Sequence, residues 1–295
     1  MLVAAVLRRG APELPDRRRG GNRVTRFDIP HGKALRLSRL SRFGDGRHLF
    51  VPLDHSVSDG PVTAGRAFTD LVSTLTDAGA DAVVVHRGRV RSIDPAALHG
   101  AGLVVHLSAS TRHGPDTDAK VLVAGVEDAV RLGADAVSVH VNIGSATEAR
   151  QLADAGSVAS ECDRLGMPLL VMAYLRGPRV VDPHDAADLA HVVNVAADLG
   201  ADLVKTSWAD PLGRLAEVVV ASPIPVVVAG GPSGSGDLAE YAREVIAAGC
   251  AGLAVGRRVF EHPHPARAVN ALAAVVHRRG AAPVPASTRA LAGTP

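Results

Sequence analysis

Short apolar runs alternate with longer segments of helical periodicity along most of this chain. Four of the runs rhyme: GADAVVVHRG (79–88), GADAVSVHVN (133–142), GADLVKTSWA (200–209) and GCAGLAVGRR (249–258). In each, a glycine closes a helix in the left-handed conformation, a short step follows, and a β-branched strand begins. The segments before them, AFTDLVSTLTDA (67–78), EDAVRLG (127–133), DAADLAHVVNVAADLG (185–200) and DLAEYAREVIAAG (237–249), carry apolar residues at helical spacing. Between the rhymes fall RHLFVPLDHS (47–56), GLVVHLSAS (102–110), PLLVMAYLRG (168–177) and IPVVVAGGP (224–232). Eight strands alternating with helices predict a parallel sheet. That many βα units in about 215 residues predict α/β architecture closed as a single (β/α)8 TIM barrel. A doubly wound open sheet is the runner-up, but no G-x-G-x-x-G follows the first strand. The barrel is expected over 36–279, between a flexible Arg/Pro/Gly-rich leader at 1–35 and a flexible tail at 280–295.

Composition narrows the class. Aromatics are 3% of the 295 residues, so the core is built from small and branched aliphatics, as parallel sheets favour. The net charge is +2 and the one dense basic patch, RRRG at 17–20, lies in the leader, so nucleic acid is not an evident partner. The apolar LVAAVL at 2–7 is too short for a secretory segment, and no run is long enough to span a membrane. Cys162 and Cys250 lie far apart without metal-ligand spacing. They read as free thiols in a reducing compartment, with the cytoplasm as the expected location.

In a barrel the chemistry sits at the C-terminal ends of the strands. The residues expected there are Asp54 and His55, His86, His106, His140 and Asn142, Tyr174 and Arg176, Lys205 and Trp208, Gly230 and Gly231, and Gly256 and Arg257. VVVAGGPSGSG (226–236) and GLAVGRRVF (252–260) follow the seventh and eighth strands. Glycines let backbone N–H groups approach an anion, and these two loops hold phosphate in many barrels. Either Arg257 or Arg258 could supply the charge, because a shift of one residue in strand register exchanges them.

Lys205 is the anomaly: an ammonium inside the strand-like run DLVKTSW. It is a snorkelling lysine, the partner of a carboxylate such as Asp54, or a nucleophile. A lysine in a dry pocket has its pKa lowered, and its neutral amine attacks ketones to form a Schiff base. Tyr174 and Asp54 are the candidate proton carriers. Each also has a plainer reading, Tyr174 as a rim aromatic and Asp54 as a helix cap. Four strand-end histidines, His55, His86, His106 and His140, leave a metal site open as a rival, although their spacing matches no ligand pattern.

Taken in order, VPLDHSVSDGP, VMAYLRGP, DLVKTSWAD, VVVAGGP and LAVGRRVFEHPHP resemble the DeoC/LacD/archaeal-type class I aldolases over about 48–275. Within them the closest likeness is to the branch that builds seven-carbon amino-keto products for aminohydroxybenzoate-type biosynthesis. The resemblance implies a Schiff-base lysine at Lys205, an acid/base tyrosine at Tyr174 and a catalytic aspartate at Asp54. It also implies phosphate binding at Gly230, Gly231, Gly256 and Arg257. No metal and no cofactor is implied, and a homo-oligomer is. The donor is then a phosphorylated ketone, dihydroxyacetone phosphate or a deoxyketohexose phosphate. The acceptor is an aldehyde, L-aspartate 4-semialdehyde, with His55, His140, Arg176 and Trp208 as substrate contacts. The chain departs from the family at Ser56, Leu175, the Ser207-Trp208-Ala209-Asp210 segment and Ser233, all on substrate-facing loops. Rival readings are a fructose-1,6-bisphosphate aldolase, a metal-dependent aldolase, and a barrel that binds a sugar phosphate without catalysis.

Overall fold

Eight parallel strands close into a barrel in the computed structural model, which describes residues 29–63, 67–231 and 236–278. They are β1 (His48–Pro52), β2 (Ala82–His86), β3 (Gly102–His106), β4 (Ala136–Ile143), β5 (Leu169–Leu175), β6 (Leu203–Thr206), β7 (Val226–Ala229) and β8 (Gly252–Ala254). Each pairs with its neighbours in sequence, and β1 pairs with β8 to close the ring. Strand alternation separates two cores. Leu49, Val51, Val83, Val105 and Val171 face the outer helices. Phe50, Val84, Val104, Leu170, Leu203 and Val227 fill the barrel interior.

The outer helices follow the expected segments. Helix α2 (Ala67–Asp77) buries Phe68, Val72 and Leu75, a spacing of four and three that makes one apolar stripe. Helix α3 (Glu148–Leu165) ends on Gly166 at φ 58, where a left-handed residue is needed. In α4 (Ala186–Asp198) the Asp185 carboxylate caps the first turn by accepting from Ala187 N and Asp188 N. The second βα unit departs from the pattern. Only the one-turn helix Arg87–Val90 and the 3₁₀ turn Pro95–Leu98 connect β2 to β3. Its sequence, RGRVRSIDPAALHG, lacks the apolar periodicity that would hold a longer helix against the barrel.

The N-terminal mouth of the barrel is fastened by charge. In the GAD rhyme the acids accept backbone N–H groups from the preceding strand. Asp81 takes Leu49 N at 2.6 Å, Asp135 takes Leu103 N at 3.0 Å and Asp202 takes Leu169 N at 2.8 Å. Each acid also faces a basic side chain. His277 Nε2 is 3.1 Å from Asp81, Arg39 is 2.9 Å from Asp135 and Lys33 is 3.0 Å from Asp202. Arg39 and Lys33 lie on helix α1 (His31–Arg39), and the following Leu40 is buried against the interior core. Burying such a leucine is worth about 1.5–3 kcal/mol. Residues 31–35, assigned to the leader on sequence, are therefore helical and part of the compact unit that begins at His31. The RRRG patch and the 280–295 tail lie outside the described residues. Among the described residues, no helix is long and apolar enough to cross a membrane. Both cysteines are buried and free, and burial pushes each thiol up to about 12.

Candidate active site

The inward-facing parity of β2 to β6 carries the polar ring. Register sets His86 beside His106, His106 beside Ser138, Asn142 beside Tyr174, and Lys205 between Met172 and Val227. Above them opens a cavity of about 360 Å³ lined by Asp54, His86, His106, His140, Tyr174 and Lys205. A second cavity, of about 480 Å³, adjoins it and is lined by Lys205, Tyr174, Trp208, Gly230, Gly231, Gly256 and Arg257. Lys205, Tyr174, His55, Arg176 and Arg257 line both.

Lys205 is 8% exposed. Among the described residues its ammonium has no hydrogen-bond acceptor and no carboxylate within 4 Å. Its Nζ lies 6.0 Å from the centre of the Tyr174 ring. The Tyr174 ring is gripped by Arg176 at 4.6 Å and His140 at 5.1 Å. A direct Lys205–Asp54 ion pair, one of the sequence alternatives, is absent. Asp54 Oδ2 is 3.8 Å from His106 Nε2 and Oδ1 is 3.6 Å from His55 Nδ1. Burial pushes the Asp54 carboxyl up, but His106, His55 and Lys205 outweigh it and hold it below its ordinary value. The reading of Asp54 as a helix cap also falls. It precedes the short helix His55–Ser58 but makes no side-chain cap bond.

The histidines are held neutral. Burial pushes His106 down to about 4, and its Nδ1 lies 2.8 Å from Ser138 Oγ. Burial, then the charges of Lys120 and Arg176, push His140 well below its ordinary value. Asn142 donates from Nδ2 to the Asp118 carbonyl, so its Oδ1 accepts from His140 Nε2 at 2.8 Å. His140 Nδ1 then carries the lone pair. His86 and His106 sit with ring centres 5.2 Å apart. No three His, Cys, Asp or Glu side chains among the described residues are arranged to hold a metal ion.

The glycine loops separate the two arginines. Arg258 donates to Gly230 O at 3.1 Å and Gly236 O at 3.0 Å, so it straps the β7 and β8 loops together. Arg257 instead lines both cavities at the rim. Gly231 adopts φ 75 against the Tyr241 ring, and a Cβ on Gly256 would stand 2.6 Å from His55 Cε1. Both positions thus exclude a side chain and leave backbone open to the cavity. Residues 232–235, including Ser233, lie outside the described residues. Trp208 stacks on His184 at 4.1 Å, and His184 Nδ1 lies 2.9 Å from its carbonyl.

Three contributors escaped the sequence reading. His184 orients Trp208, Ser138 orients His106, and Lys120 reaches the first cavity from a ribbon formed by Ser108–Ala109 and Val121–Leu122. The stretch SASTRHGPDTDAKVL carries no periodicity to say which side chains turn inward.

Residues 48–262 match the model of the DeoC/LacD family aldolases. The chain is 47% identical, over 89% of its length and 98% of the relative's, to a Streptomyces griseus 2-amino-4,5-dihydroxy-6-oxo-7-(phosphonooxy)heptanoate synthase. It is 43% identical to a Halobacterium salinarum 2-amino-3,7-dideoxy-D-threo-hept-6-ulosonate synthase, over 83% of this chain and 92% of that one. Its fold matches an archaeal fructose-1,6-bisphosphate aldolase solved with the catalytic lysine covalently bound to the carbinolamine intermediate. The TM-score is 0.74 and the identity 25%, covering 83% of this chain and 99% of that one.

Proposed function

The chain belongs to the DeoC/LacD family of aldolases, and from that premise we propose that it joins dihydroxyacetone phosphate to L-aspartate 4-semialdehyde through a Schiff base on Lys205. The observation that carries this reading is a buried lysine without a counterion, on the inward face of β6 beside Tyr174. An amine that no carboxylate engages keeps its nitrogen available to add to a carbonyl.

The substrates follow from the product named for the Streptomyces griseus relative. In that seven-carbon chain the bond between C4 and C5 joins two hydroxyl-bearing carbons, with the ketone at C6. Breaking it as a retro-aldol leaves C5–C7 as dihydroxyacetone phosphate and C1–C4 as aspartate 4-semialdehyde. The Halobacterium salinarum relative's product bears no phosphate and no oxygen at C7, so the two donors differ in that group. Arg257 and the glycine loops at the rim of the second cavity favour the phosphorylated donor.

In this mechanism the Lys205 amine adds to the donor ketone, and loss of water gives the iminium. Tyr174 relays protons to the departing oxygen and from the adjacent carbon, forming the enamine. Asp54, held ionised among His55, His86 and His106, stabilises the positive charge across the lumen. The enamine carbon attacks the acceptor aldehyde, whose oxygen takes up a proton, and water hydrolyses the new iminium to release product and free lysine. His55, His140, Arg176 and Trp208 line the substrate space; Gly230, Gly231, Gly256 and Arg257 take the phosphate. The same reading places the enzyme in the cytoplasm as a homo-oligomer.

Incubation with the two substrates is expected to yield a seven-carbon amino-keto phosphate, detected by mass spectrometry. Cleavage of fructose 1,6-bisphosphate at a higher kcat/KM than this condensation would replace the reading with a hexose-bisphosphate aldolase.

A further inference from the structure

The ribbon after β3 forms one wall of the cavity above Lys205, and it is firmly held. Asn142 Nδ2 and Gln151 Nε2 both donate to the Asp118 carbonyl, at 2.9 and 2.8 Å. Arg112 N donates to Ser58 O at 3.1 Å, tying the ribbon to the loop after β1. The turn so anchored delivers Lys120 to the cavity, where its ammonium donates to Ser110 Oγ. Among the described residues Lys120 has no carboxylate within 4 Å. Arg176, stacked on Tyr174, also has none, and it lines the same cavity.

The two cations share a wall. Both act electrostatically on His140, and Arg176 is the largest charged influence on Lys120. Lys120 is half-buried and Arg176 is exposed, and like charges on one cavity wall repel one another unless an anion lies between them. The cavity is not uniformly basic, because Asp54, Asp59 and Asp118 also line it. Mixed sign suits a ligand that carries a carboxylate and an ammonium, whereas a phosphate would meet those acids as well as the cations. The phosphate-type features, Gly230, Gly231 and Gly256, belong to the adjoining cavity instead.

We propose that Lys120 and Arg176 form the site for the carboxylate of an amino-acid aldehyde acceptor, with Lys120 as the specificity-determining residue. This rests on the Schiff-base reading above. Lys120 is a binding residue only: it touches the acceptor's far end and takes no part in proton transfer at the reacting carbons.

The test compares Lys120→Met and Lys120→Arg with the unaltered chain, using dihydroxyacetone phosphate as donor. The acceptors are L-aspartate 4-semialdehyde and butanal, which has the same number of carbons without the charges. Losing one charge-assisted contact should raise KM for the semialdehyde about tenfold or more in Lys120→Met. KM for butanal should move far less, and Lys120→Arg should recover much of the loss. Equal losses on both acceptors, or no loss on either, would overturn the site. Borohydride reduction of the unaltered chain with the donor alone separates the two readings. An adduct on Lys205 with uniform kinetic losses sinks the acceptor site alone. Absence of any adduct sinks the Schiff-base reading and the acceptor site with it.

Discussion

At the N-terminal mouth of the barrel Asp81, Asp135 and Asp202 each accept a strand N–H and face a basic group. Among the described residues at the C-terminal mouth, Lys205 has no carboxylate within 4 Å, and burial, Lys120 and Arg176 push His140 well below its ordinary pKa. The polar residue types are alike and the strands are the same. The difference is whether each charge has been neutralised locally. A paired charge in a barrel mouth fixes the ends of strands and helices; a charge held apart from its complement costs stability and retains reactivity.

Substitutions at the two mouths should therefore fail in different assays. Tyr174→Phe removes only the hydroxyl, and it should lower kcat by about 10²–10⁴-fold, the usual worth of a positioned acid/base. Its urea midpoint should stay close to that of the unaltered chain. A large shift in midpoint with little loss of turnover would place Tyr174 in the structural class instead. Asp81→Ala should do the reverse. It leaves Leu49 N without its acceptor and removes one of the two carboxylates that face His277, in a fully buried position, a change that costs about 1–3 kcal/mol. Turnover per folded molecule should be retained, as read by activity against the folded fraction in denaturant.

The smallest effect expected is on the pH dependence of stability, where the two mouths pull in opposite directions. Burial lowers His277, but Asp81 and Asp45 outweigh it and raise its pKa above 6.5. The folded state then holds a proton that the unfolded state releases, so this stabilisation is full below 6.5 and disappears as pH climbs through the raised value. His106 titrates near 4 when folded, so the unfolded chain binds more protons between 4 and 6.5, and stability falls as pH drops through that range. Urea midpoints measured against pH should show both limbs. His277→Gln should flatten the alkaline one and His106→Gln part of the acid one. A profile that keeps both limbs in both variants would assign the slopes to other groups.

The barrel was legible because apolar period, glycine helix ends and the GAD rhyme all specified one alternation. The rhyme's acid was seen only as part of a step, since accepting a strand N–H and a basic partner depends on residues as remote as His277, far from Asp81 in sequence. The candidate site was partly legible. Lys205 stood out because an ammonium in a strand buried on both faces needs a reason. The partner of Asp54 was open among several alternatives, because a place at the lumen does not tell which of the nearby groups a carboxylate reaches. Its neighbours proved to be His106 and His55. Arg257 and Arg258 were indistinguishable until the β8 turn fixed their directions. Lys120 was invisible: it lies in an irregular ribbon, where no periodicity relates sequence position to the face a side chain takes.

The central claim is that Lys205 forms the Schiff base. The direct measurement is incubation with dihydroxyacetone phosphate, reduction with borohydride, and peptide mass spectrometry, with Lys205→Met as the control. The account predicts one stable adduct, on the peptide carrying Lys205, and none in the control. An adduct that persists in Lys205→Met, or one on another lysine such as Lys120 in the unaltered chain, would contradict it.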